Sequence, residues 1–256
     1  MTGWNELERE FDHWAFAGRT ATLWWRDDDA TAPSPALDRA LALHRSSGVP
    51  LALAVIPGRA TPALAERLSG ETGVAVMQHG WQHNNHAPPG APKAELGSHR
   101  PTPFVLGELA RGWLALDRLF GGSWLKVLVP PHNRIAPEIA RGLALAGYVG
   151  LSTHGARATA IPGLIQVNAH CDIMNWTARG FAGEAAALRQ VVDHLARRRV
   201  ADVDPDEPTG FLTHHLAHDA AAWRFCEAFL GRVQAHGAAA WRGAPAIFDF
   251  GVASCA

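Results

Sequence analysis

The sequence predicts an α/β fold in which seven or eight parallel strands, each followed by a helix, close into a barrel. Short apolar runs typical of buried parallel strands recur along the chain, and segments with helical spacing of apolar residues separate them. Strands that alternate with helices form a parallel sheet, and so many units in one chain favour closure over an open sheet. Polar and ionisable residues follow strands one, three, four, six and seven, at the face where such barrels carry their active sites.

The elements follow in a regular order. An amphipathic helix within residues 1–19 is interpreted as a packing extension of a single domain spanning 1–256. Helices are expected after Pro33–Pro35 and Thr61–Pro62, because proline suits a first helical turn. A long loop rich in proline, Ala87–Pro103, is of a length typical of functional loops. The predicted strands are 20–26, 51–56, 74–77, 126–129, 148–151, 164–167, 210–213 and 246–248, and the later helices are 104–119, 137–146, 182–199 and 219–236.

Composition excludes several classes of protein. The formal net charge of −1 does not indicate a nucleic-acid partner. Apolar runs are all shorter than the ~18 residues that a membrane span needs, and the first residues lack the basic and apolar regions of a signal peptide, so we expect a cytoplasmic protein without membrane contact. Three widely spaced cysteines, Cys171, Cys226 and Cys255, make no disulfide framework and are interpreted as buried or incidental thiols.

Three consecutive carboxylates, Asp27, Asp28 and Asp29, end the first predicted strand. Adjacent acids repel one another, so a fold that gathers them needs a cation or a proton to offset the repulsion. One interpretation is a metal ligand beside a general base, and the other is a solvated acidic turn that caps the next helix. The position at a strand end favours the first interpretation.

Two histidines, His79 and His83, follow the third predicted strand. Their spacing can place both imidazoles on one side of a helical turn, where they can hold one metal ion. Taken alone, the pair is equally well read as polar core or surface histidines. Together with a carboxylate from the first strand they make a facial Asp-His-His set, which leaves coordination positions open as catalytic zinc requires.

These residues resemble motifs of the NodB-homology polysaccharide deacetylases, carbohydrate esterase family 4. The segment Asp28-Asp29-Ala30 is similar to the family's Asp-Asp-Gly motif, with the pair one residue earlier as the alternative register. The resemblance implies that Asp28 is the general base and Asp29 a metal ligand. The segment His79–His83 is similar to His-Ser/Thr-x-x-His, with Gly80 in the hydroxyl position, which implies that both histidines are metal ligands.

The third motif of that family, Arg-x-Pro-Pro-Tyr, is similar to Leu128–His132, although the arginine is missing. The resemblance implies that the backbone N–H of His132 binds the oxyanion, and Arg134 is the candidate to supply the missing cation. The fourth motif resembles Asp172–Trp176, with Asp172 and Trp176 as the matching pair beside the substrate.

The fifth motif of the family, Leu-x-His at a strand end, resembles Leu212–His214. It implies that His214 is the general acid, and His215 and His218 are close competitors for that role.

The resemblance spans about Thr20 to Asp219 and implies a divergent member with a distorted deacetylase-like barrel. The activity that it implies is removal of an N-acetyl group from an amino sugar or related small glycan by metal-activated water, with one divalent ion, zinc first, as cofactor. The expected partner is therefore a small carbohydrate or another N-acetylated substrate. The alternatives are hydrolysis of a non-sugar amide or ester, and a catalytically silent carbohydrate-binding relative. The sequence leaves the oligomeric state open.

Overall fold

The computed structural model describes residues 2–157 and 160–249. Helices and strands alternate through most of this length, as the apolar periodicity predicts. The helices are α1 Trp4–Phe16, α2 Pro35–Ser47, α3 Pro62–Leu68, α4 Thr102–Phe120, α5 Pro137–Gly142, α6 Glu184–Arg199, α7 Ala220–Ala235 and α8 Ala244–Ile247. The strands are β1 Ala21–Ala30, β2 Leu51–Val55, β3 Val74–His79, β4 Val127–Val129, β5 Gly150–Leu151, β6 Ile165–Gln166, β7 Cys171–Asp172, β8 Met174–Asn175, β9 Gly180–Phe181, β10 Thr209–Thr213 and β11 Ala239–Trp241.

The main sheet of the described residues is parallel throughout. Its strand order is β6-β5-β4-β3-β2-β1-β10-β7, and β11 pairs with the beginning of β1. The eight strands of this path curl through 237° into an incomplete barrel. The predicted α/β class and parallel barrel-like sheet are therefore confirmed.

The chain from β6 to β7 contacts both edges of the curled sheet. At one edge the Ala169 N–H donates to the Thr153 carbonyl over 3.0 Å, and at the other the His170 N–H donates to the Gly210 carbonyl over 2.8 Å. One short stretch thus links the β5–β6 side of the sheet to the β10–β7 side. The carboxyl ends of the strands meet around a single rim as a result.

Side chains of β1 alternate between two cores. Trp24 packs inside the barrel with Met77 and Val129 from neighbouring strands. Trp25 faces the opposite way, into the layer between the sheet and the surrounding helices. This alternation follows from the two-residue period of a strand and decides where the acids that follow are directed.

The N-terminal helix α1 packs on that outer layer. Leu7, Phe11 and Trp14 are almost fully buried in it, and the Arg199 side chain at the end of α6 pairs with Glu10 over 2.8 Å. In the described part of the chain, every helix is too short or too polar to cross a bilayer.

The last predicted strand is wrong. Residues 246–248 fall at α8 and its end, because Pro245 suits the first turn of a helix that begins at Ala244. The final strand is instead β11, whose Ala239 pairs with Ala21. The antiparallel pair β8–β9 was also not predicted. Cys171 and Cys226 are buried free thiols, whereas Cys255 lies outside the described residues.

Candidate active site

Three potential metal ligands converge at the rim. The Asp29 Oδ1 atom lies 3.2 Å from His79 Nε2 and 3.3 Å from His83 Nε2. All three ligand atoms lie within 4.8 Å of one another. His79 is the last residue of β3, and Asp29 lies near the end of β1, two strands away in the sheet.

The geometry fits a tetrahedral ion. Bonds of about 2.0–2.1 Å to N and O place neighbouring ligands of such an ion about 3.3–3.4 Å apart. The His79 Nδ1 atom is 2.9 Å from the Val129 carbonyl, so that nitrogen carries the proton and Nε2 directs its lone pair toward Asp29. Asp29 Oδ1 is buried and accepts no hydrogen bond from the described residues. This donor set is the one that a catalytic divalent ion requires.

The charge states of these ligands follow from their surroundings. Burial disfavours ionised Asp29, yet the close approach and charge of His79, with the charges of His214 and His83, hold the pKa of Asp29 below its usual value. Burial and then the charge of His79 lower the pKa of His83. Burial also opposes the charge of His79, but Asp28 and Asp29 outweigh it and raise the pKa of His79. A metal ion would therefore displace a proton from His79.

Two consecutive acids reach the same site because β1 is irregular at its end. In a regular strand Asp28 and Asp29 would point to opposite faces. Asp29 has a left-handed φ of 76°, and the pairing of β1 with β2 shifts register between Asp27 and Ala30. Such an irregularity re-aims a side chain, so Asp28 stays inside the barrel while Asp29 turns toward the histidines.

The helical turn predicted for His79 and His83 is wrong. The chain leaves β3 through Gly80, with a φ of 57°, and reaches His83 with a φ of 60°. Left-handed backbone at a non-glycine residue persists only where its surroundings hold it. The two imidazoles are brought together by a tight irregular loop, with ring centroids 5.1 Å apart.

The carboxylate of Asp28 is held by Arg26, two residues earlier on β1. Both side chains are buried inside the barrel. Arg26 Nε lies 2.9 Å from Asp28 Oδ1, and Nη2 donates to Oδ2 over 3.1 Å. The same guanidinium donates to Asn133 Oδ1 over 2.6 Å and to Ser152 Oγ over 2.7 Å. Its Nη1 also donates to the carbonyl oxygens of residues 152 and 153.

The predicted substitute cation, Arg134, lies elsewhere. Its side chain is exposed and donates to the Lys93 carbonyl over 3.1 Å. Arg26 therefore occupies the place beside Asp28 that was expected to be filled by Arg134. Sequence reasoning missed Arg26, although an arginine at the end of an apolar, buried run was a signal, since a buried guanidinium needs an acidic partner.

The imidazole of His214 faces Asp28 across the rim. His214 Nε2 lies 4.0 Å from Asp28 Oδ2, and His214 Nδ1 lies 3.9 Å from Asp172 Oδ1. Trp176 donates from Nε1 to the other oxygen of Asp172 over 2.7 Å, and its ring stands edge-on to His214 at 4.6 Å. About half of the Trp176 surface, 51%, is exposed, so the indole forms an open wall of the site.

The competing histidines do not face Asp28. His215 pairs through Nδ1 with Asp27, which points into the outer layer and also accepts from Thr213 Oγ1 over 2.6 Å. His218 Nε2 accepts the backbone N–H of His214 over 3.3 Å. Of the two registers of the acidic triplet, the pair Asp28-Asp29 is the one directed at the candidate metal centre.

His132 borders the candidate metal ligands. It has a φ of 59°, and its ring stands edge-on to that of His83 with centroids 4.6 Å apart. Burial, followed by the charge of His83, lowers the pKa of His132 to about 4, so the ring is neutral near pH 7. Its Nε2 is buried without a hydrogen-bond partner among the described residues.

A second group of potential ligands, His170, His194 and Glu207, lies buried where α6 packs against β7 and β10. The Gly210 N–H donates to His170 Nδ1 over 2.9 Å, so the neutral ring carries its proton on Nε2. That nitrogen lies 3.4 Å from Glu207 Oε2 and faces it as a donor. The His170 and His194 rings stack with centroids 3.5 Å apart. Ligation through His170 Nε2 would require its proton to move to Nδ1, which already accepts the Gly210 N–H. The donor set therefore does not fit a metal ion.

Comparison with solved structures gives the fold a context. The chain is similar to a protein assigned as a polysaccharide deacetylase from Mycobacterium smegmatis, with a TM-score of 0.61, 16% identity and 90% of each chain covered. It is similar to the Bc1960 peptidoglycan N-acetylglucosamine deacetylase, with a TM-score of 0.58, 13% identity, and 90% of this chain and 88% of that chain covered.

A third similar structure is a family 4 acetyl xylan esterase from Clostridium thermocellum in complex with a cobalt ion. Its TM-score is 0.53 at 13% identity, with 89% of this chain and 90% of that chain covered. No family model and no curated protein matches the sequence. The predicted resemblance to the polysaccharide deacetylases is confirmed at the level of the fold.

Proposed function

We propose that this chain, which has the fold of the polysaccharide deacetylases, is a metal-dependent hydrolase that removes an acetyl group from an N-acetylated sugar. The observation that carries the proposal is the meeting of Asp29, His79 and His83 at ligand spacing, with the Asp28 carboxylate and the His214 imidazole beside them. A carbohydrate-binding module has no need for a carboxylate pair, a metal triad and an imidazole at one rim.

Asp29, His79 and His83 would hold one divalent ion, for which zinc suits the N and O donors. When bound, the ion supplies a Lewis acid that polarises the acetyl carbonyl and acidifies water. Asp28 accepts the proton of the attacking water, and Arg26 keeps its oxygens in place for that transfer. The His132 N–H donates a hydrogen bond to the oxyanion as the carbonyl carbon becomes tetrahedral.

The leaving group determines the role of His214. An amine departs readily only when it is protonated, and His214 lies opposite Asp28 in reach of the same centre. The Asp172 carboxylate lies 3.9 Å from His214 Nδ1, on the side of the ring away from Asp28. The exposed indole of Trp176 offers a stacking surface for a sugar ring. Hydrolysis of an acetyl ester is the second candidate, because one structural neighbour is described as an acetyl xylan esterase.

The decisive experiment measures metal content and acetate release on one preparation. About one zinc per chain is expected by elemental analysis, together with acetate release from N-acetylglucosamine oligomers or acetylated xylan. An Asp28→Asn variant should keep the metal and lose about 10²–10⁴-fold in turnover, as expected for a general base. A wild-type protein that stays free of metal after incubation with excess zinc would overturn the proposal.

A further inference from the structure

Glu95, in the long loop between β3 and α4, has a carboxylate buried beneath the metal-ligand loop. Only 1% of the residue is exposed. Its Oε2 accepts the Trp81 N–H over 2.9 Å, and its Oε1 accepts the N–H groups of Gln82 over 2.8 Å and Asn84 over 3.3 Å. A buried carboxylate is strongly disfavoured unless donors surround it, and here the donors are backbone N–H groups on both sides of His83.

The loop that carries Glu95 is itself fixed to the barrel rim. The Ala136 N–H donates to the Leu96 carbonyl over 2.8 Å, and Leu96 is fully buried. Arg100 donates to the Glu95 carbonyl over 3.0 Å. These hydrogen bonds fix the position of the Glu95 carboxylate, and the backbone of residues 81–84 folds around it.

Gly80 leaves the space that the Glu95 carboxylate occupies. A Cβ atom at Gly80 would lie 2.0 Å from Glu95 Oε2 and 2.5 Å from Pro131 Cγ. The space that a serine or threonine side chain would need is filled by Glu95. The Glu95 carboxylate in this position therefore requires glycine at position 80.

We propose that Glu95 is a positioning residue for the metal centre, acting through the backbone of residues 81–84 to hold His83 in its left-handed conformation. This inference rests on the proposed function. Partners that orient ligands of a metal typically contribute about 10–100-fold to metal affinity. Glutamine at this position offers a single acceptor oxygen, and its amide group would face an N–H that needs an acceptor.

The test compares Glu95→Gln with the matched variant Glu207→Gln. Glu207 is also fully buried and accepts two backbone N–H groups, from Arg157 and Asn168, but its loop bears no ligand of the candidate centre. Cobalt(II) affinity and the visible absorption of the cobalt-loaded proteins are measured, with thermal stability as a second readout.

Glu95→Gln is expected to weaken cobalt binding about 10–100-fold and to change the intensity of the cobalt absorption bands. Glu207→Gln is expected to lose thermal stability while keeping the wild-type affinity and spectrum. Wild-type cobalt affinity in Glu95→Gln, or an equal loss in both variants, would overturn the inference.

A second measurement distinguishes failure of the proposed function from failure of the role inferred for Glu95. If the wild type binds no metal, the proposed function fails, and amide hydrogen exchange still decides whether Glu95 orders the loop. Faster exchange at Trp81 and Gln82 in Glu95→Gln, with unchanged exchange in the β2 strand, supports the ordering role. Unchanged exchange at both amides contradicts it.

Discussion

Arg26 provides the sharpest test of how the candidate site is built. Its guanidinium is fully buried, and it contacts both oxygens of Asp28 while donating to Asn133 and Ser152. Replacing it by methionine keeps the unbranched stem and removes every donor. Asp28 would then be a buried carboxylate without a cation, and breaking a buried pair in this way destabilises a protein by about 3–5 kcal/mol.

The effect on turnover can be estimated from the same contacts. Without the guanidinium the Asp28 carboxylate is no longer aligned as a proton acceptor, and a positioned general base contributes about 10²–10⁴-fold to turnover, so we expect a loss in that range. Arg26→Lys keeps a positive charge but lacks the planar guanidinium group. We therefore expect its turnover to lie between those of the wild type and Arg26→Met.

The assay is acetate release under saturating substrate, paired with denaturant unfolding. Arg198→Lys is the matched control, because Arg198 is also buried and donates to Thr22 and Thr209, with no carboxylate partner in the part of the chain that the structure describes. It should lose stability and keep turnover. The reasoning is refuted if Arg26→Lys keeps wild-type turnover, or if Arg198→Lys loses as much turnover as Arg26→Lys.

Three further outcomes are expected. His79→Ala should bind no zinc by elemental analysis, because it removes one of three ligands, and a full equivalent of zinc in the variant would contradict the site. Gly80→Ala should lower the free energy of unfolding by about 1–3 kcal/mol, because its Cβ would overlap Glu95; an unchanged denaturation midpoint would be inconsistent with this packing. Asp27→Asn should cost about 3–5 kcal/mol near neutral pH, because it breaks the buried pair with His215. Burial opposes ionisation of Asp27, but His215 outweighs it and lowers the pKa of Asp27. The stability that the ionised Asp27 contributes is therefore present above the ordinary carboxyl pKa. The difference in unfolding free energy between wild type and Asp27→Asn should close only as the pH falls through the lowered pKa of Asp27.

Local pattern was sufficient for the fold and for part of the site. Apolar runs such as Leu51–Val55, broken by glycine and proline, predicted parallel strands, because burial on both faces leaves no polar alternation. The carboxyl ends of parallel strands share one edge, so ionisable residues at those ends were expected to meet. Asp29 and His79 do lie together there, although 50 residues separate them in sequence.

The apolar pattern near the C-terminus was insufficient to predict the last element correctly. The apolar run 246–248 is short, and a three-residue run does not distinguish a strand from a buried helical turn. The proline at position 245 was the overlooked signal for α8.

The partners of each charged group were decided only by the tertiary structure. The acidic triplet is one pattern, yet Asp27 pairs with His215, Asp28 with Arg26, and Asp29 turns toward His79 and His83. Strand alternation separates the first two, and the register shift against β2 re-aims the third, so the outcome depends on a neighbouring strand. A sequence pattern records charge and period along the chain. Which cation reaches a buried carboxylate depends on distances across the barrel, and those exist only once the strands have paired.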